Sequence, residues 1–326
     1  MPEHAVGIDL GGTYIKAGVV DDSGSIVHQS SRPTNVEEGL DAIVASMADA
    51  AERAVSQSGV GWGGVRAVGV GSPGVLDADS GIVLGSPNLR CMEGAPVGRL
   101  VAERLGREVP VRLENDANAA AYGEFWIGVG RRIDSLVLMT LGTGIGGGIV
   151  LNGEIWHGAH GFGGEIGHHA IFADGRMCAC GNQGCLETYA SAGALERRFA
   201  ESVKAGRPTS LADAVRARGK ATGREIYRAA VEGDAAAREA LQETGRFLGV
   251  AVANLYHIFD PDMVAFAGGL TGAGDMLLEP IRREARARMF PSVAERASIA
   301  FAALGADAGL IGAAGWALKT YETSAS

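Results

Sequence analysis

Cysteine is scarce in this chain, with four in 326 residues, too few for a disulfide framework to hold a fold of this length. Aromatic side chains make up only 6%. No apolar run reaches the roughly 20 residues needed to span a bilayer, so no membrane partner is expected. The amino terminus lacks the basic start and apolar core of a secretory leader, because Met1 to His4 lead straight into a strand-like run; a cytoplasmic protein is expected. Positive charge is short as well. Lys and Arg number 29 against 38 Asp and Glu, a formal net charge of −9, which argues against a nucleic-acid partner, whose groove calls for a basic face. An anionic substrate would have to be held by backbone amides and a metal ion.

Glycine, in contrast, is abundant. The 50 glycines are about twice the usual usage, and they gather at short turns between apolar runs, where backbone can approach a ligand closely. The first such turn is in AVGIDLGGTYIKAGVV, residues 5–20. Val6, Ile8 and Leu10 alternate, Gly11, Gly12 and Thr13 interrupt, and Ile15, Ala17 and Val19 resume the period of two, which reads strand, turn, strand. Such a turn offers several N–H groups and a hydroxyl to a phosphate, and Asp9 just before it is placed to hold a magnesium ion. Residues 136–153, LVLMTLGTGIGGGIVLNG, repeat the pattern. Gly142, Thr143 and Gly144 then stand where Gly11, Gly12 and Thr13 stand, and Thr140 takes the place of Asp9, which implies two related halves. A third turn, Gly268-Gly269, follows the apolar run Met263 to Phe266 and is read as facing a nucleotide base and ribose.

Three of the four cysteines fall within eight residues, Cys178, Cys180 and Cys185, with His168 ten residues upstream and Glu165 and Glu187 at the ends of the stretch. Three thiolates and an imidazole suit tetrahedral zinc and fill its coordination, so a closed structural site is expected. His169 competes with His168 as the ligand on sequence alone. Elsewhere, the loop Gly71-Ser72-Pro73-Gly74-Val75 and the pair Asn88-Leu89 are turn segments; Gly74 and Asn88 are candidates for a substrate site. Residues 36–56 have helical spacing, as do residues 116–126 and 308–319, the last two dominated by Ala and Gly. Residues 192–257 read as amphipathic helices ended by Asp260-Pro261, and the tail from Glu322 is expected to fray. Asn115 and Asp116 sit where a strand runs into a helix, the end of an α/β unit that presents ligand-binding groups. A carboxylate there can accept the proton of a hydroxyl attacking the γ-phosphorus of ATP, and Asp116 is the candidate general base.

Three glycine turns in this order, each after a strand, resemble the sugar kinase, Hsp70 and actin superfamily. That resemblance implies two duplicated actin-like (ribonuclease H-like) α/β domains with a cleft for ATP and sugar between them. The expected division is a small domain of residues 1–117 completed by the helix from about 308 to 326, and a large domain of residues 118–307 that carries the zinc loop, 163–187. Asp9-Leu10-Gly11-Gly12-Thr13, Gly71-Ser72-Pro73-Gly74, residues 114–121 (ENDANAAA), residues 141–148 (LGTGIGGG) and the cysteine loop together resemble the bacterial glucokinases of the ROK family over nearly the whole chain. The resemblance implies an ATP- and magnesium-dependent glucose 6-phosphotransferase, working as a homodimer. It also implies Asp116 as base, and Asn115, Glu165, His168 and Glu187 as holders of sugar hydroxyls, His168 doing so while it binds zinc, and zinc supporting Glu165 and Glu187. One departure keeps N-acetylglucosamine, N-acetylmannosamine, mannose and fructose in view. Where family glucokinases often carry a tryptophan after the Asn-Leu pair, this chain has Arg90-Cys91-Met92-Glu93. The family also includes sugar-sensing repressors, but the first phosphate strand beginning at residue 5 and the acidic charge argue for the kinase. Polyphosphate users share the same outline.

Overall fold

The computed structural model describes residues 2–86 and 88–325. The first part of the chain runs β1 (His4–Leu10), β2 (Tyr14–Asp21), β3 (Ile26–Pro33), α1 (Leu40–Ser58), β4 (Val65–Ser72), β5 (Val75–Asp77), β6 (Ile82–Gly85), α2 (Val97–Leu105), β7 (Val111–Asn115) and α3 (Asp116–Trp126). The pattern then restarts with β8 (Leu136–Leu141), β9 (Ile145–Leu151) and β10 (Glu154–Ile155). Six helices follow: α4 (Glu187–Ala190), α5 (Ala192–Lys204), α6 (Ala212–Arg218), α7 (Gly223–Val231) and α8 (Ala235–Phe259) before β11 (Met263–Ala267), and α9 (Asp275–Arg288) after it. The chain closes with α10 (Pro291–Ala294), β12 (Ser298–Phe301) and α11 (Ala308–Ala325).

Two five-stranded sheets result, ordered β3-β2-β1-β4-β7 and β10-β9-β8-β11-β12, besides a small β5-β6 ribbon. The orders correspond strand for strand. In the first sheet β2 is antiparallel to both β1 and β3, while β4 is parallel to β1 and to β7. In the second, β10 is antiparallel to β9 and β11 is parallel to β12. The repeat seen in the two glycine turns is therefore a repeat of whole sheets.

The chain divides into two compact units, one of residues 1–136, 148–164 and 303–326, the other of residues 137–147 and 165–302. Residues 118–136 and 148–164, assigned by the sequence reading to the larger domain, thus pack in the first unit. The reason is that α3 cannot be parted from α11. A Cβ on Gly312 would lie 1.7 Å from the Ala119 carbonyl oxygen, and one on Gly123 would lie 2.5 Å from that of Ala308.

In the first unit, β1 shows how its residues choose their faces. Val6, Ile8 and Leu10 point into a core shared with Ile43, Met47 and Val55 of α1 and Val101 of α2. The alternate positions are small, and α11 lies against them, with Leu310, Ile311, Ala314 and Leu318 packing on Ala5 and Val20. A Cβ on Gly7 would stand 2.0 Å from the Leu310 oxygen, and one on Gly69 1.9 Å from that of Ala313. The Ala and Gly positions of α11 and the strand glycines are thus one device for close packing. The helix also continues through Ala325, where the sequence suggested fraying from Glu322.

In the second unit α8 packs along α9, with Gly245 and Gly249 admitting Pro280 and Glu284 at close range. It ends at Asp260, whose left-handed backbone, φ 44°, caps it before Pro261. Among the described residues no helix is long and apolar enough to cross a membrane.

Candidate active site

In the first unit the candidate groups gather at the ends of β1, β4 and β7. Asp9 is the last residue but one of β1, just before the turn, in which the Gly11 N–H donates to the Tyr14 carbonyl at 3.1 Å and the Thr34 hydroxyl donates to the Gly11 carbonyl at 2.6 Å. A Cβ on Gly12 would meet nothing within 4 Å, so the backbone of the turn lies open. The Asp9 carboxyl rests against the first turn of α11, 3.2 Å from where a Cβ on Gly309 would be. Burial, and next the nearby Asp116 carboxylate, raise its pKa to about 6, with Lys16 acting in the opposite sense and Asp307 adding to the rise. The Lys16 ammonium donates to the Ala306 carbonyl at 2.9 Å and lies 3.4 Å from Asp307.

Asn115 and Asp116 are placed by the cap of α3. The Asn115 Oδ1 accepts from Ala117 N at 2.9 Å and Asn118 N at 3.1 Å, and its Nδ2 donates to the Gly74 carbonyl at 2.9 Å. Gly74 has φ 111°, and a Cβ there would lie 2.2 Å from the Gly85 oxygen; only glycine fits. Asp116 is the first helical residue, its Oδ1 accepting from Ala117 N at 2.8 Å. Burial pushes its carboxyl above the usual carboxylate range, against the lowering effect of that amide. Gly74, Asn115 and Asp116 are thus joined in one network with Asp9 nearby. Asn88 is exposed in the turn after β6 and makes no hydrogen bond among the described residues.

In the second unit, Gly142 N donates to the Gly144 carbonyl at 3.0 Å, closing the second turn. Glu187, at the start of α4, reaches it: Ile145 N donates to Glu187 Oε2 at 2.8 Å. A Cβ on Gly144 would come within 2.3 Å of the same oxygen, so this glycine makes room for a carboxylate. The third turn has Gly268 at φ 95°, where a Cβ would meet the Leu141 oxygen at 2.5 Å, and Gly269 opens the short helical turn before α9. A cavity of about 520 Å³ lies beside it, lined by Gly269, Leu270, Glu196, Thr222, Gly223 and Tyr227, among others.

The cysteine loop assembles as the spacing predicts. One donor atom each from His168, Cys178, Cys180 and Cys185 lie within 4.8 Å of one another. His168 Nδ1 is 3.6 Å from Cys178 Sγ, and Cys180 Sγ is 3.7 Å from Cys185 Sγ. That sulfur separation is far from a disulfide bond, and the thiols are free. It matches the edge of a tetrahedron with metal–sulfur bonds of about 2.3 Å, which is about 3.8 Å. Three soft sulfurs and a nitrogen at that spacing fit zinc. Gly181 and Gly184, at φ 91° and 75°, make the tight turns that bring Cys180 and Cys185 together. His169 is turned away, its Nδ1 against the Ile166 carbonyl, so the choice between the two histidines falls on His168. The other ring nitrogen of His168 faces Glu165 at 3.9 Å.

Two residues with a claim on the site escape the sequence reading. Glu114, only 2% exposed, accepts from Asn115 N at 2.8 Å and Asn118 Nδ2 at 2.9 Å, and its other oxygen is 2.7 Å from His157 Nε2. A carboxylate directly after Leu113 and beside Asn115 and Asp116 was the available signal for Glu114. His157 lies in a loop, and no spacing marks it.

Comparison with known proteins covers nearly the whole chain. A model of the ROK family matches residues 5–320. A glucokinase of Halalkalibacterium halodurans is 38% identical over 320 residues, 98% of this chain and 96% of its own. Among solved structures, a ROK hexokinase from Thermus thermophilus is 36% identical with a TM-score of 0.81, covering 98% of this chain and 99% of that one. A ROK family glucokinase from Streptomyces griseus, solved in complex with glucose and AMPPNP, is also 36% identical, with a TM-score of 0.77 over 97% of this chain and 99% of that one.

Proposed function

The chain belongs to the ROK family, and we propose that it is an ATP-dependent glucokinase, moving the γ-phosphoryl group of ATP to the 6-hydroxyl of glucose. The observation that carries this reading is Asp116: a carboxyl with raised proton affinity, fixed on the first turn of α3 and tied through Asn115 to Gly74. In this role Asp116 accepts the proton of the sugar hydroxyl as that oxygen attacks phosphorus. Asn115, Glu165, His168 and Glu187 hold the other hydroxyls, and Gly74 and Asn88 edge the sugar. The turns Gly11-Gly12-Thr13 and Gly142-Thr143-Gly144 take the phosphates, through the amides left over once Gly11 N and Gly142 N have closed the turns themselves. The cavity beside Gly268 and Gly269 takes adenine and ribose.

Magnesium fits the oxygen donors near the first turn. The raised pKa of Asp9 reflects a buried carboxylate lacking sufficient positive charge, and a cation accompanying ATP supplies it. Asp9 would hold the ion, directly or through water, and the ion neutralises phosphate charge. Zinc would be held by His168, Cys178, Cys180 and Cys185, and its contribution is structural: it staples the loop so that Glu165, the free edge of His168 and Glu187 keep fixed orientations. On the family's pattern the protein is a cytoplasmic homodimer.

ADP release with Mg-ATP against glucose, mannose, fructose, N-acetylglucosamine and N-acetylmannosamine tests the reading. Glucose should lead, and Asp116→Ala should lower turnover by about 10²–10⁴-fold. An acetylated sugar in the lead would move the substrate, with the Arg90 to Glu93 segment as the first place to look. No turnover with any sugar, while polyphosphate supports it, would replace the donor.

A further inference from the structure

His157 and Glu114 form a pair that stands directly behind the candidate base. Glu114 is the fourth residue of β7, between Leu113 and Asn115, and is almost wholly buried. A buried carboxylate is tolerated only when its oxygens are satisfied and its charge is compensated. Two of its three partners are neutral: the Asn115 amide and the Asn118 side chain, both on Oε1. The third is His157 Nε2, alone on Oε2. Those neutral partners are parts of the cap that aims Asp116, since Asn115 Oδ1 receives the amides of Ala117 and Asn118. Any rotation of the Glu114 carboxylate therefore pulls on Asn115 and Asn118, between which the base lies in the chain.

The histidine itself is held in place. Gly163 N donates to the His157 carbonyl at 2.8 Å, Trp156 N donates to the Ile149 carbonyl at 2.8 Å, and the ring lies 6.3 Å from that of Trp316 on α11. Its side chain is 32% exposed and lines a cavity of about 480 Å³ with Asp77, Asp79, Leu84 and His160, so it can exchange protons with solvent although Glu114 cannot. The charged group facing it from β7 is Glu114 and from the turn after β5 is Asp79. Both favour the imidazolium, and the Glu114 hydrogen bond is the larger cause of a pKa above the ordinary histidine value.

We propose that His157 is a positioning residue for phosphoryl transfer: by holding Oε2 of Glu114 it fixes the strand-to-helix turn on which Asn115 and Asp116 are mounted. The proposal rests on Asp116 acting as the base. Loss of the donor frees the Glu114 carboxylate to rotate and moves Asp116 without touching either substrate. A displacement of about 1 Å at a reacting group costs about 10²-fold in rate.

The test compares three variants in steady-state kinetics with glucose and Mg-ATP, together with the imidazole titration of His157 followed by NMR. His157→Ala should lose about 10–10²-fold in kcat with the KM for ATP within about twofold of the parent, whereas a simple loss of folded protein would leave the kcat of the folded fraction unchanged. His157→Gln puts an amide donor close to the position of Nε2 and should regain most of that turnover. Asp116→Asn should be nearly inactive. In the parent protein His157 should titrate above the ordinary histidine value and fall back in Glu114→Gln. A His157→Ala enzyme with parental kcat beside an inactive Asp116→Asn overturns the proposal. An active Asp116→Asn overturns the base assignment instead. Should His157→Ala fail to fold, an ordinary titration of His157 in the parent, or a His157→Gln enzyme as slow as Asp116→Asn, would overturn it.

Discussion

Replacing Gly144 by Ala isolates one contact in the second unit. The added Cβ would stand 2.3 Å from Glu187 Oε2 and 3.1 Å from its carboxyl carbon, whereas ordinary contact begins near 3.5 Å. The carboxylate must therefore retreat by about 1 Å. Its bond from Ile145 N is 2.8 Å long, and a retreat of that size takes it past the range of a hydrogen bond. Ile145 is buried, so its N–H is left without a partner, at about 1–3 kcal/mol. If Glu187 holds a sugar hydroxyl, displacing it by about 1 Å lowers kcat/KM for glucose by about 10²-fold, while the protein stays folded. ADP release in a coupled assay gives the kinetic change, and amide exchange gives the fate of Ile145, which should lose protection. Gly63→Ala is the control, because a Cβ there meets nothing within 4 Å. A Gly144→Ala enzyme with parental kcat/KM and a protected Ile145 amide would refute the reasoning, since it would mean that the turn absorbs the methyl group without moving Glu187.

Asp9→Asn should lose Mg-ATP-dependent turnover yet gain stability at neutral pH without magnesium. With its pKa raised from 3.8 to about 6, Asp9 favours the folded state fully only below about pH 3.8, and that contribution is lost as pH rises through about 6; removing the charge should restore about 2–3 kcal/mol at pH 7.5. Urea unfolding at pH 5 and 7.5 checks the sign, and a variant no more stable than the parent at the higher pH would count against it. Cys180→Ala should purify with well under one zinc per chain by plasma emission and with a lower melting temperature; full zinc content in that variant would remove Cys180 from the ligand set.

The parts of this molecule that could be read from the sequence were those written in periodicity and in turn residues. The alternation of Val6, Ile8 and Leu10 placed β1, and the recurrence of a glycine turn at Gly142 announced a second sheet with the same strand order as the first. The spacing of Cys178, Cys180 and Cys185 located a cluster that the backbone then closes around. What escaped was written across the sequence rather than along it. Glu114 and His157 are 43 residues apart, and neither has a local pattern, so only the packing of β7 against the loop after β10 reveals them as partners. The membership of residues 118–136 was hidden for the same reason, because it is decided by how closely α3 approaches a helix nearly two hundred residues later. Composition could say that α3 and α11 were rich in small residues, but the carbonyl that each glycine admits is a fact of tertiary structure.

The position of α11 also sets the order in which the molecule can be made. Its apolar residues, Leu310, Ile311, Ala314 and Leu318, cover Ala5 and Val20, which leave the ribosome some three hundred residues before them. Until α11 is made, then, one face of the first sheet waits bare, and by that point every residue of the second unit has been translated. The nascent first unit is the species that a chaperone would find exposed, and a stop codon or a bulky fusion placed shortly before residue 318 would leave it permanently in that state.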